Sequence, residues 1–374
     1  MLKKSAILLF ISLIFVEVFS LIATKLNLLI VNHEPDYIYS QGNKWRIENT
    51  NWGSWHKNNF KDMHSTKCFS VKYESNNIGA RDNIDYFKNE TKKSIILLGD
   101  SMAEGFASNL EDTFAKKLES KVKKKILNFG SAANFGPLQA KILYDEMAKF
   151  YNHDEIILFL NLNDDFIDNN WNFWNTKIKR LRHRPYFVIN DKNEFSIFYP
   201  TQDMSHIKKK FYEFYFLNIQ GFLTKYTYTA NTLKTLNSVF AKYRANKNHT
   251  DDHVEVMKTS NNIHTYFIED KLSINGTLFS LEEFFKISKN KKKTVVLIPQ
   301  VSDLQRIESG EKFKSLYWYK KLNYLLNRYG VKLIDLSEHF SSNEYQKMRH
   351  SCDHHWNNLG NLKVADLVYN LNFK

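Results

Sequence analysis

The chain has 374 residues, of which 43% are hydrophobic, enough for a full-sized core in one large or two modest domains. Its formal net charge of +13 includes lysine runs that are scattered and have few aromatic residues among them, a pattern typical of solvated surface, so we expect no nucleic-acid partner. Two cysteines, Cys68 and Cys352, exclude a small disulfide-rich scaffold and leave one bridge possible if the chain is exported.

The first predicted element is an apolar segment at residues 5–24, SAILLFISLIFVEVFSLIAT, whose only acidic residue is Glu17. About 20 such residues match the length of a helix that crosses a bilayer. Lys3 and Lys4 precede it, which by the positive-inside tendency places the rest of the chain on the periplasmic or extracellular side. Its length and poor cleavage site favour an uncleaved anchor, residues 1–30, over a cleaved signal or a buried core helix. Glu17 is costly in a membrane unless it lies near the interface or meets a partner.

Residues 31–93 are a polar, aromatic lead-in that we expect to be irregular, with a turn at NNIGARD, residues 76–82. After it, short runs rich in Ile and Val recur, of the kind that fill a parallel sheet buried on both faces. These runs are SIILL (94–98), KKILNF (124–129), EIILFL (155–160), KTVVLI (293–298) and VKLID (331–335). Between them, apolar residues recur with helical spacing, as in 140–147, 322–329 and 364–371. The sequence therefore predicts an α/β fold, a doubly wound three-layer sandwich around a five-stranded parallel sheet.

One gap interrupts this alternation. The residues between the third and fourth strands, 165–292, are rich in aromatics and lysine and too numerous for an ordinary loop, so they predict an inserted substructure. Its segment 211–243 is predicted to be helical. The expected organisation is an anchor, a lead-in, the first half of the α/β domain, an insertion and the second half, at 1–30, 31–93, 94–164, 165–290 and 291–374.

Polar residues and glycines follow the predicted strands where their carboxyl ends meet. Gly99-Asp100-Ser101 ends the first strand, NFGSAANFG (128–136) the second and NLND (161–164) the third, while SCDHHWNNLGN (351–361) precedes the last helix. Ligands of open parallel sheets bind at this edge. A serine, backbone amides, a carboxamide and an Asp/His pair together provide the nucleophile, oxyanion donors, base and orienting group that acyl transfer requires.

The order and spacing of these blocks resemble the SGNH hydrolase superfamily, also called GDSL esterases, over residues 94–164 and 291–374. The NNIGARD turn also resembles the lead-in of membrane-associated members. The resemblance implies a flavodoxin-like sheet, no cofactor, and an esterase activity in which Ser101 is the nucleophile. It further implies that Asn163 completes the oxyanion hole and that Asp353 and His355 complete the catalytic triad.

Three features depart from the family pattern. Ala133 stands where the second block usually has a glycine, although its amide can still donate into an oxyanion hole. Asn161 stands where glycine is common in the third block. The last block has the spacing Asp-x-His, which resembles a DxHWN subset that includes polysaccharide O-acetyl esterases and acetyltransferases, often membrane-anchored. We therefore assign Asp353 and His355 to the triad, with His354 as the alternative base.

The predicted roles follow from this assignment. We expect the amides of Ser101 and Ala133 and the side chain of Asn163 to hold the oxyanion. Asp100 is expected to cap or brace the serine turn, and Asn357 to cap the last helix.

A metal site formed by HSCDHH (350–355) with His56, His64 and Cys68 is disfavoured, because zinc sites favour paired ligands at short regular spacing. The sequence thus predicts a membrane-anchored esterase that acts on an O-acyl ester, foremost an O-acetyl ester, of an acylated carbohydrate or small molecule through an acyl-serine. An O-acetyltransferase with the same triad and a catalytically inactive glycan-binding module are the alternatives. The oligomeric state stays open.

Overall fold

A computed structural model gives the structure of the protein. It describes residues 2–26, 28, 45–49, 51–66, 68–132, 135–162, 164–174, 184–199, 223, 226–233, 236–237, 266–351 and 353–374. The chain divides into two compact units. The first comprises 1–42, 64–70 and 203–255, and the second comprises 43–63, 71–202 and 256–374.

The first unit contains the N-terminal helix α1 (Leu2–Lys25). Its window Ile7–Lys25 has a mean hydropathy of 2.6, and only 17% of that window is buried. A core helix of a soluble domain would bury an apolar face, whereas the side chain of Phe15 is 73% exposed. By length and composition, α1 can cross a membrane.

The lead-in, residues 31–93, contains short strands rather than the irregular chain that the sequence predicts. They are β1 (Arg46–Asn49), β2 (Gly53–His56), β3 (Lys61–Ser65) and β4 (Ser70–Glu74). β1 pairs with β2 in antiparallel fashion, and β3 pairs with β4. The prediction of an irregular lead-in is therefore wrong. Strands of four or five residues with no long apolar run carry almost no periodic signal, and they are held by contacts such as that of Trp55 with Phe129, whose ring centroids lie 6.2 Å apart.

Seven further strands follow: β5 (Ser94–Gly99), β6 (Ile126–Gly130), β7 (His153–Asn161), β8 (Tyr186–Ile189), β9 (Phe195–Phe198), β10 (Lys292–Ile298) and β11 (Lys332–Asp335). Five of them form one parallel sheet in the order β11-β10-β7-β5-β6, and β8 and β9 form a separate antiparallel pair. The five predicted strands are confirmed, with ends that differ by one or two residues. The strand order reverses between β5 and β7, so the crevice in which such sheets bind ligands lies beyond these two strands.

Helices cover both faces of this sheet: α2 (Ser101–Glu104), α3 (Phe114–Val122), α4 (Pro137–Glu146), α5 (Asp165–Asp168), α6 (Lys271–Ile287), α7 (Val301–Glu308), α8 (Tyr317–Arg328), α9 (Ser342–Lys347) and α10 (Asn358–Asn372). Alternate residues of β5 face two different cores. Ile95 and Leu97 pack with residues of α3 and α10, whereas Ile96 and Leu98 pack with residues of α4, α6 and α8. The structure thus confirms the α/β three-layer sandwich.

Part of the range 165–290, predicted as an insertion, packs on the sandwich. α6 lies against α4, where the ring of Phe284 meets that of Tyr144 with centroids 5.4 Å apart. The segment 211–243, predicted to be helical, lies mostly outside the described residues. Within it, residues 228–233 are helical.

Asp303 on α7 is a buried carboxyl group that makes stability depend on pH. Its oxygens accept hydrogen bonds from the backbone nitrogens of Tyr266, at 2.9 Å, and Gln300, at 2.8 Å. Burial nevertheless raises the pKa of Asp303 to about 6, above the value near 3.9 of an unfolded chain. The folded state therefore holds this proton more tightly, so the stability that Asp303 contributes is complete below about pH 4 and is lost as the pH rises through about 6.

We expect Asp303→Asn to lose this part of the pH dependence. Urea unfolding of the variant at about pH 4 and about pH 7 should show a smaller fall in the free energy of unfolding than the unsubstituted protein shows. Asp191→Asn, at an exposed position in the β8–β9 turn, is the control and should leave the difference unchanged. An Asp303→Asn variant with an unaltered pH difference would contradict the raised pKa.

Candidate active site

Ser101 is presented by a tight turn between β5 and α2. Gly99 has φ +142°, and a Cβ there would lie 2.8 Å from the Cβ of Phe159, so only glycine fits. Asp100 is the N-cap of α2, since its Oδ1 accepts a hydrogen bond from the nitrogen of Met102 at 2.9 Å. Ser101 is therefore the first residue of α2, half-buried at the carboxyl edge of the sheet.

His355 meets Ser101 at this edge. Its Nε2 lies 2.8 Å from the Oγ of Ser101. Its Nδ1 contacts Oδ1 of Asp353, and the same oxygen accepts a hydrogen bond from the backbone nitrogen of His355 at 2.9 Å. Burial alone would raise the pKa of Asp353, but the hydrogen bonds and charge of His355 outweigh it and hold that pKa well below its usual range. Asp353 is thus an ionised group that binds Nδ1 of the imidazole and fixes the orientation of the ring.

His354, the alternative base, occupies a different place. Its ring stacks on that of His355, with centroids 4.6 Å apart and an interplanar angle of 28°, and it is exposed. The ring of Phe106 also lies near that of His355, at 4.6 Å between centroids. The geometry therefore pairs Ser101 with His355, whose ring is packed against two others.

The loop that carries His355 is fixed at both ends. The Nε2 of His350 lies 3.1 Å from the carbonyl oxygen of Ala107, in the loop after α2. Asn357 caps α10 by accepting a hydrogen bond from the nitrogen of Gly360 at 3.0 Å, as the sequence predicts, and its Nδ2 donates to the carbonyl oxygen of Arg349 at 2.9 Å. Such anchoring holds the imidazole in position before a substrate arrives.

Arg81, in the NNIGARD turn, is a positioning residue that the sequence alone does not identify. Its guanidinium is 1% exposed, stacks over the ring of Tyr73 at 3.9 Å, and donates to the carbonyl oxygens of Gly105, at 2.6 Å, and Ser108. Gly105, with φ +76°, ends α2. Arg81 thus holds the chain directly after the serine helix. The resemblance of the turn to a family lead-in was the signal that pointed to this segment.

Glu104, at the end of α2, is a second such residue. It is fully buried, its Oε2 lies 3.3 Å from the Nε2 of His56, and the same oxygen accepts a hydrogen bond from the nitrogen of Ala132. Burial would raise the pKa of Glu104, but the charge and hydrogen bond of His56 outweigh it and lower that pKa. Glu104 therefore ties β2 and the loop after β6 to the serine helix.

The predicted oxyanion hole is described only in part. Ser101 lies within the described residues, and its amide is one of the first amides of α2, which have no partner within the helix itself. Ala133 and Asn163 lie outside them, so their roles stay predictions. Asn161, the position where the family commonly has glycine, donates from its Nδ2 to Oδ2 of Asp100 at 2.8 Å. Asn161 thus braces Asp100, and Asp100 caps α2 at the serine turn, as the sequence predicts.

No group of three or more His, Cys, Asp or Glu side chains among the described residues is arranged to hold a metal ion. His56, one of the ligands considered from the sequence, instead contacts Glu104. Cys68 is disulfide-bonded, and Cys352 lies outside the described residues.

No protein-family model matches the chain, and no curated protein does. Among solved structures, the chain is similar to the crystal structure of the lipase/acylhydrolase from Enterococcus faecalis, with a TM-score of 0.38 and 12% sequence identity. The similarity covers 75% of this chain and 95% of that one.

Proposed function

We propose that the protein is a membrane-anchored serine acyl hydrolase of the SGNH type. One observation carries the proposal: the continuous contact from the Oγ of Ser101 through the imidazole of His355 to the carboxylate of Asp353, at the sheet edge where ligands bind. In this role Ser101 is the nucleophile, His355 the general base and Asp353 the group that orients the base.

The proposed reaction has two halves. The Nε2 of His355 accepts the proton of Ser101 as Oγ attacks the carbonyl carbon of an ester, and Asp353 stabilises the imidazolium that forms. The oxyanion is held by the amides of Ser101 and Ala133 and the side chain of Asn163, each worth about 3 kcal/mol of barrier. The imidazolium then protonates the departing alcohol and leaves an acyl-serine. His355 then takes a proton from water as the water attacks this ester; the bond between the acyl carbon and Oγ breaks, and His355 returns the proton to Oγ as the acid leaves.

The proposed substrate is an O-acetyl ester on a surface glycan. Its support is the resemblance of the block that ends in Trp356 to the DxHWN subset. The excess of basic residues, +13 overall, would favour an acidic polysaccharide. The proposed location is the periplasmic or extracellular side, supported by the lysines before α1 and by the disulfide bond of Cys68, a bond type that persists in oxidising compartments.

The test uses the full chain in detergent. We expect a fluorophosphonate probe to label it covalently and an acetyl ester, p-nitrophenyl acetate or an O-acetylated polysaccharide, to release acetate. Adding an unacetylated glycan distinguishes hydrolysis from transfer, because an acetyltransferase would acetylate that acceptor instead of releasing acetate. Folded protein that binds glycan but is neither labelled nor active would contradict the proposal and indicate a binding module.

Gly130 offers a test of how tightly the nucleophile must be held. A Cβ at Gly130 would overlap the backbone nitrogen of Glu104 and lie 2.5 Å from the carbonyl carbon of Ala103. These are backbone atoms of α2, so Gly130→Ala should displace Ser101 and lower the rate of ester hydrolysis by about 10²-fold, the effect of a shift near 1 Å. Gly330→Ala is the matched control: nothing lies within 4 Å of that Cβ, and φ is +60°.

The control should lose about 1–2 kcal/mol of stability from its left-handed backbone and keep its activity. The hydrolysis of p-nitrophenyl acetate by both variants measures the change in rate, and their urea unfolding curves measure the change in the free energy of unfolding. A fully active Gly130→Ala variant would show that α2 tolerates displacement.

A further inference from the structure

Glu17, the acidic residue within the apolar helix α1, is bonded to a segment far along the chain. Its carboxylate accepts three hydrogen bonds: from the nitrogen of Tyr228 at 2.6 Å, the nitrogen of Thr229 at 3.0 Å and the Oγ1 of Thr229 at 2.7 Å. Both partners belong to the same compact unit as α1. The carboxylate therefore has partners, the condition under which such a residue is tolerated in a membrane.

The bonded amides are the first of a short helix, residues 228–233, and each of its leading amides has a partner within the protein. Glu17 accepts from Tyr228 and Thr229, and the Oγ1 of Thr227 accepts from the nitrogen of Ala230 at 3.2 Å. The nitrogen of Thr227 donates to the carbonyl oxygen of residue 223 at 2.9 Å. In water, the first amides of a helix commonly donate to solvent molecules. In hydrocarbon there is no solvent acceptor, so these amides need partners within the protein.

The position of Glu17 on α1 fixes the depth of this contact. Lys4 and Lys25 are about 32 Å apart along the helix, which matches the hydrocarbon core of about 30 Å. Glu17 lies about 20 Å from Lys4 and about 12 Å from Lys25. When α1 spans a bilayer, the amides of Tyr228 and Thr229 consequently lie inside the hydrocarbon with it.

The side chains are arranged as in a membrane protein, with polar groups inside and apolar groups outside. Most of the buried side chains on the two segments are small or polar: they are Ser20, Ala23, Thr24, Asn231 and Thr232, together with the aromatic Tyr228. Large side chains elsewhere on the second segment are exposed: Leu233 is 56% exposed, and Tyr226 and Leu236 are exposed as well. Small residues at the interface are what bring helices together in a bilayer, and a helix in water would show the opposite arrangement.

We propose that residues 226–233 and Leu236 are embedded in the bilayer beside α1, so that the protein has a second membrane contact in addition to its anchor. Lipid acyl chains cover the exposed faces of Tyr226, Leu233 and Leu236. Glu17 holds the segment by accepting from its first amides. The inference does not depend on the proposed catalytic function.

The test measures depth in the bilayer. The full chain carrying Leu233→Cys is labelled with bimane and reconstituted into phosphatidylcholine vesicles whose acyl chains carry bromine, which quenches fluorophores in the hydrocarbon. Phe15→Cys, exposed on α1, is the membrane control, and Glu311→Cys, exposed on the second unit, is the aqueous control. No reductant is added, which keeps the disulfide of Cys68 closed.

We expect bromolipid to quench the label at position 233 to an extent comparable with position 15, while the label at 311 is unaffected. Quenching at 15 without quenching at 233 would overturn the proposal, and so would the absence of quenching at both. A second measurement combines Glu17→Leu with each label. We expect quenching at 233 to be lost and quenching at 15 to persist, whereas quenching retained at 233 would show that Glu17 does not hold the segment.

Discussion

Replacing Ser101 by alanine is expected to lower the rate of ester hydrolysis by about 10⁶-fold and to abolish labelling by a fluorophosphonate. In the proposed reaction, the hydroxyl that lies 2.8 Å from the Nε2 of His355 forms the acyl bond, so the substitution removes the nucleophile. The remaining oxyanion donors should support only a small residual rate. The side chain is half-buried on the surface of α2, so its loss should leave stability nearly unchanged.

The measurement is the turnover of p-nitrophenyl acetate together with gel fluorescence after probe treatment. Ser120→Ala, an exposed serine on α3, is the matched control and should keep both signals. If Ser101→Ala still accepts the probe, another residue is the nucleophile and the assignment fails.

Asp353→Asn should have the second largest effect, a fall in kcat of about 10⁴-fold with little change in KM. The carboxylate accepts from Nδ1 of His355 and from its backbone nitrogen, and so leaves Nε2 free to take the proton of Ser101. An amide at this position can donate to Nδ1 instead, which would put the proton on Nε2 and remove the base. Steady-state kinetics and a circular dichroism spectrum separate this effect from misfolding.

The two neighbouring histidines provide the comparison. His355→Ala should lose activity to a similar extent, whereas His354→Ala should retain most of it, because His354 only stacks on the base. If His354→Ala lost activity and His355→Ala retained it, His354 would be the base. Combining Ser101→Ala with Asp353→Asn should cost no more than Ser101→Ala alone, since residues of a triad act as one unit.

The parallel sheet and the meeting of Ser101 with His355 were predictable from the sequence for a physical reason. Strands buried on both faces are continuous apolar runs, and their carboxyl ends must share one edge. Asn357 was predictable as a cap because a helix start needs an acceptor at that place. These features depend on local composition and on a general rule of topology.

Other features could not be predicted because they depend on contacts between distant residues. Arg81 and Glu104 are ordinary charged residues in the sequence, and only the fold brings Arg81 to the carbonyl oxygen of Gly105 and Glu104 to His56. The partner of Glu17 lies 211 residues away, so the sequence could state the need for a partner but not identify Tyr228. β1 and β2 carried no periodic pattern.

The distance along the chain between Ser101 and His355, 254 residues, has a consequence for biogenesis. A ribosome makes the serine turn first, and at about 5–20 residues per second the histidine follows roughly 13–50 s later. Under the proposed mechanism, the nascent polypeptide cannot attack esters during that interval, because the hydroxyl of Ser101 lacks the imidazole of His355. The proposed active site is complete only after both residues have left the ribosome and folded together.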